Sequence, residues 1–346
     1  LAGVPLVSAY KKDALARRLF VAFGWRSPGL ERHNVERYLD ALKPWGIEPS
    51  AAVVSLGEMG HAPRATTGRK VLVIQSAFLG DSLLTIPLAR EIKTALPGSR
   101  VTVLTLPKTA EIFETSPDVD EVLLDDKRGV HGGLRGPWKL ASELKSRGFD
   151  LAIIPHRSFR SALIAWLSKI PRRIGFSSSA GRFFLTDEVP FTWLMHDLER
   201  NLALVKPLAA ISLREDESLY LKPTTDEVEK ISLRLADDSI GRSARVIGVH
   251  PGAAWATKRW LPERYAELCK RFKAEGWELV LVGGPADKQL CAAIAKDSGA
   301  LDWSGKTSLN DLKALMGRLS LFVTNDSGPM HLAAFVGCRT LAIAGV

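Results

Sequence analysis

Three short segments of this 346-residue chain set glycine and hydroxyl residues beside acidic or cationic ones, the mixture that suits a phosphate or sugar ligand. The strongest is Asn325-Asp326-Ser327-Gly328-Pro329-Met330-His331. It falls between a strand-like run at 321–324 and a helix that begins near Pro329. Ser327 and Gly328 can present main-chain N–H groups at that helix N-terminus, where the dipole favours an anion such as a diphosphate. Pro329 suits the first helical turn, where a missing N–H costs nothing. His331 can hydrogen-bond a phosphate, and Asp326 can hold hydroxyls or position the loop. An ordinary capped helix would account for the same letters.

The second segment, His250-Pro251-Gly252-Ala253-Ala254-Trp255-Ala256-Thr257-Lys258-Arg259-Trp260, also follows a strand-like run. Small residues around Gly252 leave backbone N–H groups accessible, Thr257 adds a hydroxyl and Lys258 or Arg259 adds charge, the parts of a phosphate site. The alternative is a surface loop with two cations. In the third, Gln75-Ser76-Ala77-Phe78-Leu79-Gly80-Asp81-Ser82, Gly80 lets backbone approach a ligand at a strand-to-helix turn, and Asp81 either addresses that ligand or caps the helix. Two weaker segments remain. Gly283-Gly284-Pro285-Ala286-Asp287 is a nucleotide-pocket wall or a plain turn. His156-Arg157-Ser158-Phe159-Arg160 offers Arg157 and Arg160 to an anionic acceptor or is a solvated helix start. No His, Cys, Asp and Glu set has metal-ligand spacing, and no dinucleotide, P-loop or nucleophile-elbow motif occurs.

What positions these segments is an alternation of strand-like and helix-like stretches, the mark of an α/β fold with helix-covered parallel sheets. The strand-like runs are 71–74, 101–104, 121–124 and 151–154, then 246–249, 279–282 and 321–324; each is mostly apolar on successive residues, as strands buried on both faces should be. They divide the chain into a first Rossmann-like domain at 67–212, a charged hinge or linker at 213–244, and a second Rossmann-like domain at 245–346. Residues 1–66 hold no full βαβ unit. Matches such as His33-x-x-Glu36-Arg37 with His196-x-x-Glu199-Arg200 suggest that they are an extension derived from a partial second copy of the first domain.

With 46% hydrophobic and 25% charged residues the chain has the composition of a globular protein able to bury a sizeable core. Cys269, Cys291 and Cys338 form neither a disulfide framework nor a metal motif and read as core residues in a reducing compartment. No apolar run is long enough to span a bilayer and the start lacks a signal pattern, so a cytoplasmic location is expected. The net charge of +9 points to an anionic partner. Nucleic acid is disfavoured, because the basic residues are dispersed with no aromatic-interleaved stripe. The chain opens on Leu1 and stops at Val346 on an apolar, strand-like run, and so reads as part of a longer sequence.

From about residue 69 to its end the sequence resembles glycosyltransferase family 9, the bacterial lipopolysaccharide heptosyltransferases. The resemblance rests on Val71-Leu72-Val73-Ile74-Gln75-Ser76-x-x-Leu79-Gly80-Asp81, on Pro117-Asp118-Val119-Asp120-Glu121-Val122, on Pro251-Gly252-Ala253 with Lys258-Arg259-Trp260, and on the segment 325–334. The Pro-Gly-Ala loop looks closer to the second heptosyltransferase of the pathway than to the first. The resemblance implies a GT-B architecture, two Rossmann-like domains facing across a cleft, the second incomplete at its C-terminal end. It also implies inverting, metal-independent transfer of heptose from ADP-L-glycero-D-manno-heptose to the inner core on lipid A. No cofactor beyond the nucleotide-sugar donor is expected. Asp81 would be the general base. Lys258, Ser327, Gly328 and His331 would hold the donor diphosphate, with Gly252 and Thr257 in the same loop and Asp326 and Asp287 around the ribose or sugar. Gly80, Arg157 and Arg160 would face a phosphorylated lipid A-core acceptor, with the enzyme in peripheral contact with the cytoplasmic face of the inner membrane. Two other readings remain: a related transferase using a different nucleotide sugar, and a non-catalytic nucleotide-sugar-binding protein.

Overall fold

In strand β1 (Lys70–Gln75) successive side chains enter two different apolar layers. Val71 and Val73 join one buried cluster and Leu72 and Ile74 another, so the strand is covered on both faces. Around it lie β2 (Arg100–Thr105), β3 (Glu121–Leu124), β4 (Leu151–Ile154), β5 (Arg172–Phe176) and β6 (Asp187–Val189), all parallel in the order β3-β2-β1-β4-β5-β6. That order is the doubly wound one, with β1 beside the switch point. The computed structural model describes residues 68–209 and 221–343. The extension expected at 1–66, with its partial-copy reading, and the first part of the expected linker lie outside the described residues.

Helices α1 (Leu79–Leu83) and α2 (Ile86–Ala95) lead from β1 to β2, α3 (Ala110–Glu114) leads to β3, and α4 (Gly136–Lys145) and α5 (Phe159–Leu167) flank β4. Ile86, Leu88 and Ile92 of α2 pack with Val71 and Val73, whereas Leu140 and Leu144 of α4 and Ala162 and Ala165 of α5 pack with Leu72 and Ile74 on the other face. A short helix α6 (Asp197–Ala203) closes the first lobe, tied to the α1–α2 turn by Asn201, whose Nδ2 donates to the Leu84 carbonyl at 2.9 Å.

The second lobe begins with α7 (Thr225–Asp237), inside the stretch read from sequence as a linker. Its Thr224 and Glu227 form a reciprocal capping box. This part of the expected hinge or linker is therefore a helix start, and Ile231 and Leu235 are buried. Strands β7 (Val246–His250), β8 (Glu278–Leu281), β9 (Leu301–Asp302), β10 (Leu321–Asn325) and β11 (Thr340–Ile343) form a parallel sheet in the order β11-β10-β7-β8-β9. Helices α8 (Pro262–Ala274), α9 (Lys288–Ser298), α10 (Leu309–Arg318) and α11 (Gly328–Val336) cover it. Lys313 of α10, almost fully buried, reaches Glu227 of α7 at 2.9 Å. Cys269 and Cys291 are buried and Cys338 is half-buried, all three as free thiols.

One buried apolar cluster includes β1 and α2 residues of the first lobe and α10 and α11 residues of the second, so the lobes share a floor. Above it the Asn310 N–H donates to Glu111 Oε2 at 3.0 Å, a direct link from α10 to α3. The expected arrangement of two Rossmann-like lobes across a cleft is the one observed. Strands β5, β6 and β9 were not among the runs read from sequence: β5 opens on Arg172-Arg173, and β9 has only two residues.

Candidate active site

The cleft holds a cavity of about 730 Å³ whose walls come from the loops after β1, β7, β8 and β10. Ligands of open α/β sheets bind at such carboxyl-end crevices. On the first-lobe side, α1 begins after Phe78, whose side chain does not cap it, and Asp81 stands in the first turn. The backbone of Asp81 is fixed from behind: its carbonyl accepts from Thr85 Oγ1 at 2.8 Å and from Gln75 Nε2 at 3.3 Å, and Gln75 also donates to Thr85 Oγ1 at 2.9 Å. Among the described residues the Asp81 carboxylate has no hydrogen-bond or ion-pair partner, so of its two sequence readings the cap is not the one adopted.

Across the cleft, α11 starts at Gly328 with Ser327 as N-cap, and the Ser327 hydroxyl makes no capping bond. It lies 3.3 Å from both His250 Nδ1 and Thr324 Oγ1, which leaves the first N–H groups of the helix free of side-chain caps. The loop 251–260 is held against this turn by Asn325, which is fully buried. Its Oδ1 accepts from the Trp260 N–H at 3.0 Å and from the Tyr265 hydroxyl at 2.9 Å, while its Nδ2 donates to the Pro251 carbonyl at 2.8 Å and the Gly252 carbonyl at 3.2 Å. That staple places Lys258, whose Nζ lies 2.7 Å from Asp326 Oδ2.

Two glycines let the lobes touch beside these groups. A Cβ on Gly80 would come 3.1 Å from His331 Cδ2, and one on Gly328 would come 3.0 Å from the Leu79 side chain. His331 is thereby pressed between the lobes. Burial lowers its pKa, the carboxylates of Asp326 and Asp81 oppose that shift, and the His196 and Lys258 charges add to it.

Asp81, Gly80, Lys258, Asp287, Asp326, Ser327, Gly328 and His331 all line the cavity, although Gly80 and His331 are 251 residues apart in the sequence. Four other expected site residues stand elsewhere. Gly252 lies behind the wall, where a Cβ would meet Asp287 Oδ1 at 2.4 Å; it makes room for that carboxylate. Thr257 is exposed and is not in the cavity wall. Arg160 donates to the buried Asp125 at 2.8 Å and to the His131 carbonyl at 3.1 Å, so its charge is engaged by a buried carboxylate. Arg157 stacks on Phe191 and Trp193, 4.3 and 4.7 Å from their ring centres.

Several wall residues had not been singled out as binding groups. His250, buried at the end of β7, faces Thr324 through Nδ1 at 3.2 Å and Asp287 through Nε2 at 3.9 Å. Burial pushes it down to about 4, against the pull of Asp287. Its place directly after a buried strand was the available signal. Lys108, Phe78 and Trp255 also line the cavity, with Lys108 Nζ 5.4 Å above the Phe78 ring. Just outside it the buried His156 Nδ1 has no hydrogen-bond partner among the described residues, and burial and then Lys127 lower its pKa while Asp81 opposes them.

Comparison with known proteins adds to this geometry. The family model of glycosyltransferase family 9 (heptosyltransferase) matches residues 137–346. Lipopolysaccharide heptosyltransferase 2 of Salmonella typhimurium is 29% identical over 291 residues, covering 80% of this chain and 82% of that protein. Among solved structures, a family 9 glycosyl transferase from Veillonella parvula superposes with a TM-score of 0.74 at 27% identity, covering 80% of this chain and 81% of the other. The E. coli ADP-heptose lipopolysaccharide heptosyltransferase II gives 0.70 at 25% identity, with 80% and 84% covered.

Proposed function

The chain belongs to glycosyltransferase family 9, and from that premise we propose that it is a heptosyltransferase of the lipopolysaccharide core, taking heptose from ADP-heptose with inversion. The names of its relatives support the transferase class and the core as its field of action. The observation that carries the mechanism is the Asp81 carboxylate, without a partner among the described residues and held by its backbone, opposite the start of α11 in one cavity.

The donor diphosphate sits at the N–H groups of Ser327 and Gly328, beside His331 and Lys258. The acceptor hydroxyl attacks the anomeric carbon from the Asp81 side, and the carboxylate takes its proton as the new C–O bond forms. The bond from that carbon to the phosphate oxygen breaks with its electron pair on ADP. Charge gathering on the leaving oxygen is met by the helix N-terminus and the Lys258 ammonium, groups already in place before reaction. Lys258 passes from Asp326 to the diphosphate when donor binds, which frees Asp326 for sugar hydroxyls; Asp287 serves the ribose. The acceptor is phosphorylated and lipid-borne, which brings the protein into peripheral contact with the cytoplasmic face of the inner membrane.

Asp81→Asn tests the assignment. Expected is a fall in transfer of about a hundredfold or more, the usual worth of a general base, with ADP affinity kept. Unchanged turnover with intact donor binding would remove Asp81 from the role. Titration with ADP, UDP and GDP tests the donor, and a preference for UDP would refute the ADP-heptose reading.

A further inference from the structure

Helices α4 and α5 lie side by side over the same face of the first sheet, their inner residues in one apolar cluster. Their outer faces and the neighbouring loops are unusual for a solvated surface. Leu134 is 92% exposed, Trp138 57%, Trp166 48%, Phe183 81% and Trp193 71%, and Phe159 is exposed as well. Isolated exposed apolar residues are ordinary, but a concentration of large aromatic ones on one face marks an interaction surface.

Phe159 and Trp166, seven residues apart on α5, flank Phe184, with ring centres 5.5 and 5.3 Å away, and Phe183 precedes it on the same turn. Toward the cleft, Arg157 stacks on Phe191 and Trp193, and the chain runs from Trp193 directly to His196 and Asp197 in the cavity wall.

Cations rim the patch. Arg135, Lys139 and Lys169 are exposed and form no ion pair among the described residues, and the Arg182 guanidinium lies 5.3 Å from the Phe183 ring centre. Indole and phenyl rings with interspersed Lys and Arg are the chemistry of a bilayer interface: rings settle at headgroup depth and ammonium and guanidinium groups meet anionic lipid. No helix among the described residues is long and apolar enough to cross a membrane, so the contact would be parallel to the surface.

We propose that the outer face of α4 and α5, with Phe183 and Trp193 at its margins, docks the protein onto an anionic bilayer surface and turns the cleft mouth toward it. This rests on the reading that the acceptor is lipid-borne, since it gives the docked orientation its use.

The test is co-sedimentation of the full chain with vesicles of phosphatidylcholine alone or with about one third phosphatidylglycerol. Two variants are compared: Trp138→Ser/Trp166→Ser/Phe183→Ser, and Arg135→Gln/Lys139→Gln/Lys169→Gln. Both should keep ADP affinity and far-UV dichroism, because the altered side chains are exposed. Wild type should favour the anionic vesicles. The aromatic variant should bind about tenfold or more weakly, and the charge variant roughly fivefold more weakly per cation at low salt, with a flatter salt dependence. Equal binding to both vesicle types, variants that bind like wild type, or a wild-type dimer that the aromatic variant dissolves would each overturn the proposal. Transfer is measured in parallel on lipid-borne and deacylated acceptor. Loss confined to the lipid-borne form supports docking; wild-type inactivity on both would refute the heptosyltransferase reading, while the vesicle result still decides the surface.

Discussion

Replacing Lys258 by alanine separates structural from ligand-binding electrostatics at a single side chain. In the cleft Lys258 pairs with Asp326 at 2.7 Å, but the two side chains are 45% and 42% exposed. A pair so accessible to water contributes about 0–1 kcal/mol. Its removal should therefore shift the unfolding midpoint very little. Against a donor diphosphate the same ammonium makes a charge-assisted contact worth about 1.5–3 kcal/mol. At about 1.4 kcal/mol per tenfold, ADP affinity should fall by roughly 10- to 150-fold. Calorimetric titration with ADP and thermal denaturation read the two effects on the same sample. Asp326→Asn supplies the control: it removes the ion-pair partner of Lys258 and so should leave ADP binding equal to or tighter than wild type. ADP affinity within twofold of wild type in Lys258→Ala would refute the assignment. A large loss of thermal stability would show that the pair serves the fold instead.

Asn325→Ala removes four hydrogen bonds and leaves the buried Tyr265 hydroxyl without its acceptor, so urea denaturation should show a loss of about 2–4 kcal/mol. His250 has a depressed pKa, about 4 against an ordinary 6.5. Its contribution is complete above pH 6.5 and is lost as pH falls toward 4, because the unfolded chain takes up the proton first. Across that window wild type should lose on the order of 3 kcal/mol more than His250→Gln, a difference that denaturation at pH 7.5 and 4.5 would detect. Because the chain's own cations and N–H groups meet the leaving diphosphate in the proposed mechanism, transfer should persist after dialysis against EDTA. Activity lost with EDTA and restored by a divalent ion would refute metal independence.

Much of the cavity could be read from local sequence because its residues sit where strands end. A buried parallel strand is a continuous apolar run, and the turn after it faces the cleft, so Asp81, Asp287 and the 326–331 segment were found by position. Partnerships were harder to read. The Lys258–Asp326 pair spans 68 residues and the Asn325 hydroxyl contact spans 60, separations that no local pattern encodes. Arg160 illustrates the cost: its spacing suggested an acceptor contact, but Asp125, 35 residues earlier, is buried and takes its charge. Thr224 shows the opposite error. Pro223-Thr224-Thr225-Asp226 has the letters of a loop, yet the same letters cap a helix when Glu227 and a buried stripe follow.

The proposed base and the proposed anion site stand on different lobes, and a contact between the lobes sets their separation. Asp81 follows Gly80 and Ser327 precedes Gly328, the two glycines at which the lobes approach across the cleft floor. Neither has a positive φ, so backbone freedom is not what requires them. The requirement is proximity: at 3.0–3.1 Å from the opposing atoms, a methyl group would force a shift of a few tenths of an ångström. His331 and Leu79 are the neighbours that would have to yield, and the buried cluster beneath them is shared by both lobes. Such a floor can transmit displacement into the separation between Asp81 and the α11 N-terminus, where misplacement of about 1 Å costs about a hundredfold in rate. In this reading Gly80 and Gly328 act on the reaction as spacers, through the distance they permit between the proton acceptor and the group that holds the leaving diphosphate.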